Sequence, residues 1–307
     1  MSGTERTKSV VYMLLNVVSS IALVFTNKAV FDYPELRGMP MLFTAFHFAF
    51  TALGLYVFSR PFVGLFEAKY VSRKKMLPIS LAFAQFVVST NLSLAFNSVA
   101  FYQMAKVLTT PVIVVINLVF YRKYVSLKVA SALGCTCLGV ACTIAGEFGT
   151  SIPGTIFAGT GVLVTSVYQI WIGTKQKQFD VTSSQLLLNQ APSSALMLLI
   201  VAPFSDSIPT FSSVPTAGWV AFFFSGVIAL LVNLSQFLII GKTSAVTYNV
   251  VGHMKTCIIV TAGWAMANQA VATNDIVGVL LAIGGALAYT YYSMAPAIPP
   301  PAPTLPK

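Results

Sequence analysis

Charge is what this sequence has least of. Only 8% of its 307 residues are Asp, Glu, Lys or Arg, and just eight are acidic; a soluble domain carries about 25% charged residues. So few ionisable groups cannot clothe a globule of this size in water, which excludes a soluble enzyme and a solvated disordered chain. Cysteine is scarce too. Cys135, Cys137, Cys142 and Cys257 all fall in apolar stretches, with no CxxC or Cys/His ligand spacing, so a disulfide scaffold and a zinc module are also excluded. No P-loop, zincin helix or serine-nucleophile elbow is present, so neither an enzyme nor a cofactor or metal centre is expected. What is plentiful is apolar surface: 56% hydrophobic residues and a mean hydropathy of +0.81. These values point to an all-α polytopic membrane protein whose few charges sit at membrane faces or at a working site. The net charge of +10 then records orientation in the bilayer, not affinity for nucleic acid.

A crossing helix needs roughly 20 mostly apolar residues. Ten stretches qualify: Val10–Val30, Met39–Ser59, Met76–Phe96, Val99–Tyr121, Val125–Gly146, Pro153–Gly173, Ser184–Pro203, Ala217–Ile240, Ser244–Ala267 and Asn274–Met294. The first is long enough to span, so it reads as a retained helix and not a signal peptide. The Pro-rich tail, residues 296–307, is expected to be disordered. Charges alternate strictly across the connections. The N-terminus, the 60–75 loop, the 122–128 loop, the 175–180 loop, Lys242 and Lys307 are each net positive. The intervening connections carry Lys28, Asp32, Glu35 and Arg37, which cancel, and then only Glu147, Asp206 and Asp275. Both termini are therefore expected in the cytosol.

A slide of 146 positions aligns the fourth and fifth stretches with the ninth and tenth without a gap. Ser98 meets Ser244, Tyr102 meets Tyr248, Gln103 meets Asn249, Thr110 meets Thr256 and Gly139 meets Gly285. The register of the polar members favours duplication over shared apolar composition. Each half holds five helices, an odd number, so the halves insert in opposite senses. The expected organisation is a first repeat over 1–146 and a second over 147–295. Inverted repeats with a midplane site are the architecture of alternating-access carriers.

Two lysines lie inside the apolar stretches. Lys255 is near the middle of Ser244–Ala267, where an ammonium costs about 2.5–3.5 kcal/mol on insertion scales. It is too deep to snorkel, and no intramembrane carboxylate is available to pair with it. Lys106 lies seven residues into its stretch, roughly 10 Å from the luminal end at 1.5 Å per residue. Two fixed positive charges without a fixed negative one suit an anion, and phosphate suits lysine. Tyr248, Gly252 and Lys255 share a helix face, flanked by Asn249 and Thr256; Tyr102 and Lys106 stack at i, i+4, with Gln103 and Thr110 alongside. Gly252 either admits a ligand to the backbone or permits close helix packing. Asn189 and Gln190, next to Pro192, offer amide edges for a base or sugar, or inter-helix glue. His253 points away from Lys255 and is expected to bond a neighbouring helix.

The segments Gly241-Lys242-Thr243-Ser244 and Gly252-His253-Met254-Lys255-Thr256 resemble the nucleotide-sugar and triose-phosphate translocator family of the drug/metabolite transporter superfamily. Lys255-Thr256 resembles the Lys-Thr signature of the nucleotide-sugar branch, where phosphate translocators carry Lys-Arg. The run Phe96-Asn97-Ser98-Val99-Ala100-Phe101-Tyr102-Gln103-Met104-Ala105-Lys106 is similar to the fourth helix of plant-type UDP-sugar carriers. GDP-mannose carriers use an aromatic-Asn-Asn motif and a Gly-Ala-Leu-Asn-Lys motif, and both are departed from here. The resemblance implies a Golgi antiporter, with the endoplasmic reticulum as the alternative membrane. It would exchange cytosolic nucleotide sugar for luminal nucleoside monophosphate, UMP for a UDP-sugar, with Lys106 and Lys255 on phosphate-contacting positions. An antiporter of small phosphorylated metabolites and a non-transporting scaffold remain the alternatives, and a homodimer is left open.

Overall fold

The computed structural model describes residues 3–96, 105–144, 152–207, 213–267 and 273–294. The tail after 294, the end of the first repeat at 145–151, and Tyr102 and Gln103 lie outside the described residues. The long helices are α1 (Gly3–Phe31), α2 (Pro40–Phe58), α3 (Arg73–Phe96), α4 (Thr109–Tyr121), α5 (Leu127–Ile144), α6 (Ile152–Gln178), α7 (Ser183–Ser205), α8 (Thr216–Lys242), α9 (Ala245–Ala267) and α10 (Thr273–Met294). No strand occurs among the described residues. Of these helices, α1, α2, α3, α6, α7 and α8 contain spans long and apolar enough to cross a membrane, and shorter apolar helices cover Ala105–Tyr121, Leu127–Gly139 and Ile276–Tyr289. Large apolar side chains such as Leu14, Val18, Leu196, Ile200 and Val220 stand exposed in mid-helix. A soluble protein rarely tolerates so much apolar exterior. The chain is an all-α polytopic membrane protein.

Local sequence sets the helix ends. Pro40 stands in the first turn of α2, where its missing N–H has no helical partner to lose. Thr182 and Gln185 form a capping box at the start of α7, satisfying two N–H groups reciprocally. Arg122 closes α4 in the left-handed region at φ 50°. The fourth apolar stretch is interrupted: Ala105–Val107 is helical, Leu108 is a turn, and α4 resumes at Thr109. Pro111 accounts for the break, since it has no N–H to donate to the Val107 carbonyl; Leu108 nevertheless keeps helical angles (φ −62°, ψ −15°).

The helices pack in pairs: α1 on α8, α3 on α6, α2 on α7 and α5 on α10. In the α5–α10 pair, backbone meets backbone at two glycines. A Cβ added at Gly139 would lie 2.3 Å from Ala282 N and 2.6 Å from Gly278 O, and one at Gly285 would lie 2.5 Å from Thr136 N and 2.8 Å from Ala132 O. The contacts are reciprocal, because Gly139 and Gly285, Thr136 and Ala282, and Ala132 and Gly278 are each 146 positions apart. One buried cluster, including Phe48, Phe83, Tyr168 and Leu187, joins α2, α3, α6 and α7. A second, including Ile113, Leu133, Val250 and Ala286, joins α4, α5, α9 and α10.

Candidate functional site

Between α1, α3, α6, α8, α9 and the segment leading into α4 lies a cavity of about 370 Å³, within the roughly 300–1,000 Å³ of small-molecule sites. Lys106, Tyr248, Asn249, Gly252, Lys255 and Thr256 all line it. Lys255 is only 9% exposed. Its Nζ donates to Asn16 Oδ1 at 2.7 Å and to Ser20 Oγ at 3.2 Å, and it stands 5.2 Å from the Tyr248 ring centroid. Every one of these partners is neutral, so the charge is solvated without being cancelled. Lys106 lines the same cavity, so two like charges share it. Among the described residues lining the cavity there is no carboxylate.

The polar residues around the lysines are held in place from within the helices and across them. Asn249 donates to Gln169 on α6 and to the Ala245 carbonyl at 2.9 Å. Thr256 donates to the Gly252 carbonyl at 3.1 Å. His253 bonds Thr110 Oγ1 at 2.7 Å, the cross-helix contact its position on the wheel predicts. Among the described residues nothing comes within 4 Å of a Cβ built at Gly252. Close helix packing therefore does not explain this glycine, which leaves backbone bare to the cavity.

Asn189 and Gln190 are not brought to the cavity wall. Asn189 accepts from Val71 N at 2.8 Å and donates to the carbonyls of Lys69 (2.8 Å) and Gln185 (2.7 Å). It ties the 60–72 loop to α7. Gln185 adds a bond to the Glu67 carbonyl at 2.8 Å, and Lys69 pairs with Asp180 at 2.9 Å. That donation from Lys69 holds the Asp180 carboxyl below its usual range. Gln190 is fully buried, donating to Tyr168 OH at 2.9 Å and Ser194 Oγ at 3.4 Å. Tyr168 itself lines the cavity, so Gln190 sits one layer behind the wall.

Several wall residues escaped the sequence reading: Ser20 on α1, Thr90 on α3, and Thr165, Tyr168 and Gln169 on α6, with Asn16 behind Lys255. Asn16/Ser20 and Thr165/Gln169 are i, i+4 polar pairs in apolar helices, and that spacing is the signal that marks them.

Residues 7–290 match the Triose-phosphate Transporter family. The chain belongs to that family. Its members are transporters and not enzymes, as the lack of acid, base and metal groups in the sequence led us to expect. UDP-xylose transporter 2 of Arabidopsis thaliana is 35% identical over 283 residues, covering 91% of this chain and 79% of that one. UDP-rhamnose/UDP-galactose transporter 1 of the same plant is 34% identical over 283 residues, covering 90% and 81%. A crystal structure superposes with a TM-score of 0.71 over 92% of this chain and 98% of that one, at 14% identity; that likeness concerns the fold alone.

Proposed function

We propose that this family member is a nucleotide-sugar transporter that carries a UDP-sugar into the Golgi lumen in exchange for UMP. The observation that carries the reading is the buried Lys255 ammonium, held by neutral groups and joined by Lys106 around a cavity without a carboxylate among its described lining. Such a cavity favours a phosphate-bearing guest. The names of the plant relatives, together with Lys255-Thr256 in place of Lys-Arg, favour a UDP-sugar over a triose phosphate. Tyr102, Gln103, Tyr248 and Asn249 would then meet base and sugar, with Thr256 assisting Lys255 at phosphate.

The architecture that goes with this function is ten crossings in two inverted repeats, 1–146 and 147–295, with both termini cytosolic. The reciprocal Gly139/Gly285 contacts support it. So does the pairing pattern, in which exchanging the halves maps α1–α8 onto α6–α3 and returns α2–α7 and α5–α10 to themselves. In this orientation Ser183–Gln176, Lys242–Glu5 and Lys69–Asp180 bridge helix ends on the cytosolic side of the cavity. Coupling follows from charge: two ammoniums in an empty cavity oppose closure in low dielectric, and a bound anion offsets them. Empty rocking is suppressed, and exchange is obligatory.

The test is uptake of UDP-xylose and UDP-galactose into proteoliposomes preloaded with UMP. We expect uptake that needs internal UMP and is inhibited by external uridine nucleotides. Uptake unaffected by internal UMP, or inhibited by triose phosphates and not by uridine nucleotides, would discard the proposal.

A further inference from the structure

We infer that Asn16 is a positioning residue for Lys255: it never touches the transported anion, yet it fixes where the ammonium stands and keeps it uncompensated. This rests on the anion-binding reading of the cavity and deepens it.

Asn16 is fully buried on α1 and uses both ends of its amide. Its Nδ2 donates to Ser235 Oγ at 2.8 Å and to the Val232 carbonyl at 3.3 Å, both on α8. Ser235 Oγ spends its own proton on the Val232 carbonyl at 3.0 Å, so toward Asn16 it can only accept. A carbonyl and an accepting hydroxyl on that side require the amide NH₂ there, and the carbonyl oxygen must face the other way. That oxygen is the acceptor at 2.7 Å from Lys255 Nζ. The α8 contacts therefore select the amide orientation, and the orientation places the ammonium.

The choice of an amide has an electrostatic consequence. A carboxylate of the same shape would accept the same bond and cancel the charge, and the cavity would lose its draw on phosphate. An apolar residue would leave the ammonium short of an acceptor in a buried site, where unpaired donors are costly. Asn16 supplies the acceptor without the charge. It also links α9 through α1 to α8, so the position of Lys255 is tied to the packing of both halves of the chain.

Two isolated substitutions and one control test this in the proteoliposome exchange assay, with UDP-xylose and UDP-galactose as probes. Asn16→Asp is expected to raise KM by about tenfold or more, with a smaller effect on turnover. Ser235→Ala removes the shorter of the two bonds that anchor the amide NH₂ to α8, loosening its hold on Lys255, and is expected to raise KM by about threefold. Lys255→Ala is the control for the reading beneath. If Lys255→Ala exchanges as the unaltered protein does, the anion-site reading fails. If Lys255→Ala is inactive while Asn16→Asp and Ser235→Ala keep the unaltered KM, the positioning role alone is overturned. Should Asn16→Asp fail to give monodisperse protein, Ser235→Ala decides.

Discussion

At Gly252 a hydrogen atom stands where a side chain would enter the cavity. With open space around a Cβ placed there, among the described residues, Gly252→Leu directs its side chain into the cavity and gains about 0.8 kcal/mol in helix propensity. We expect this variant to unfold at or above the temperature of the unaltered protein and to lose nucleotide-induced thermal stabilisation; retained stabilisation would place the ligand elsewhere. Asn189 has the opposite profile. It holds main chain at Lys69 and Val71, so Asn189→Ala should lower stability by about 1 kcal/mol while leaving nucleotide affinity unchanged. A selective loss of affinity, measured by titration, would return Asn189 to the binding site. Lys255 was legible in the sequence because a lone cation deep in an apolar run has few explanations. Asn16 and Gln169 were not, because a single buried amide is equally well explained by a helix–helix bond, and each makes one here.

Among the helices, apolar length located the elements, and proline and glycine set their details. The sequence suggested one unbroken helix through 99–121, and Pro111 interrupts it at Leu108. Lys106 lies in the turn before that interruption and lines the cavity. Gly139 and Gly285, matched in the sequence by the 146-residue slide, stand against opposing backbone in α5 and α10. A methyl group there has nowhere to go. Gly139→Ala should cost about 1–3 kcal/mol by overpacking, measured as a lowered unfolding midpoint, and Gly285→Ala should match it if the two positions are equivalent. A neutral effect at either position would argue against the reciprocal contact.

For the molecule as a whole, the amphipathic signal is inverted relative to a soluble protein: apolar residues face outward, and polar groups collect around an inner cavity. In the proposed function, scarcity of acid is what would favour an anion there, since Lys106 and Lys255 share the cavity with neutral amides, hydroxyls and aromatic rings. The same scarcity singled out in the sequence the two lysines that the structure brings to one cavity, while the pairing of α1 with α8 and α3 with α6 needed the structure, because lipid-facing and helix-facing apolar residues look alike in sequence. The most direct measurement is the thermal unfolding of detergent-purified protein titrated with UMP, for the unaltered chain and for Lys255→Ala. The account predicts a saturable rise in Tm for the unaltered chain and none for the variant, whose ligand-free Tm stays at or above the original. An equal rise in both would mean that the buried ammonium does not hold the anion.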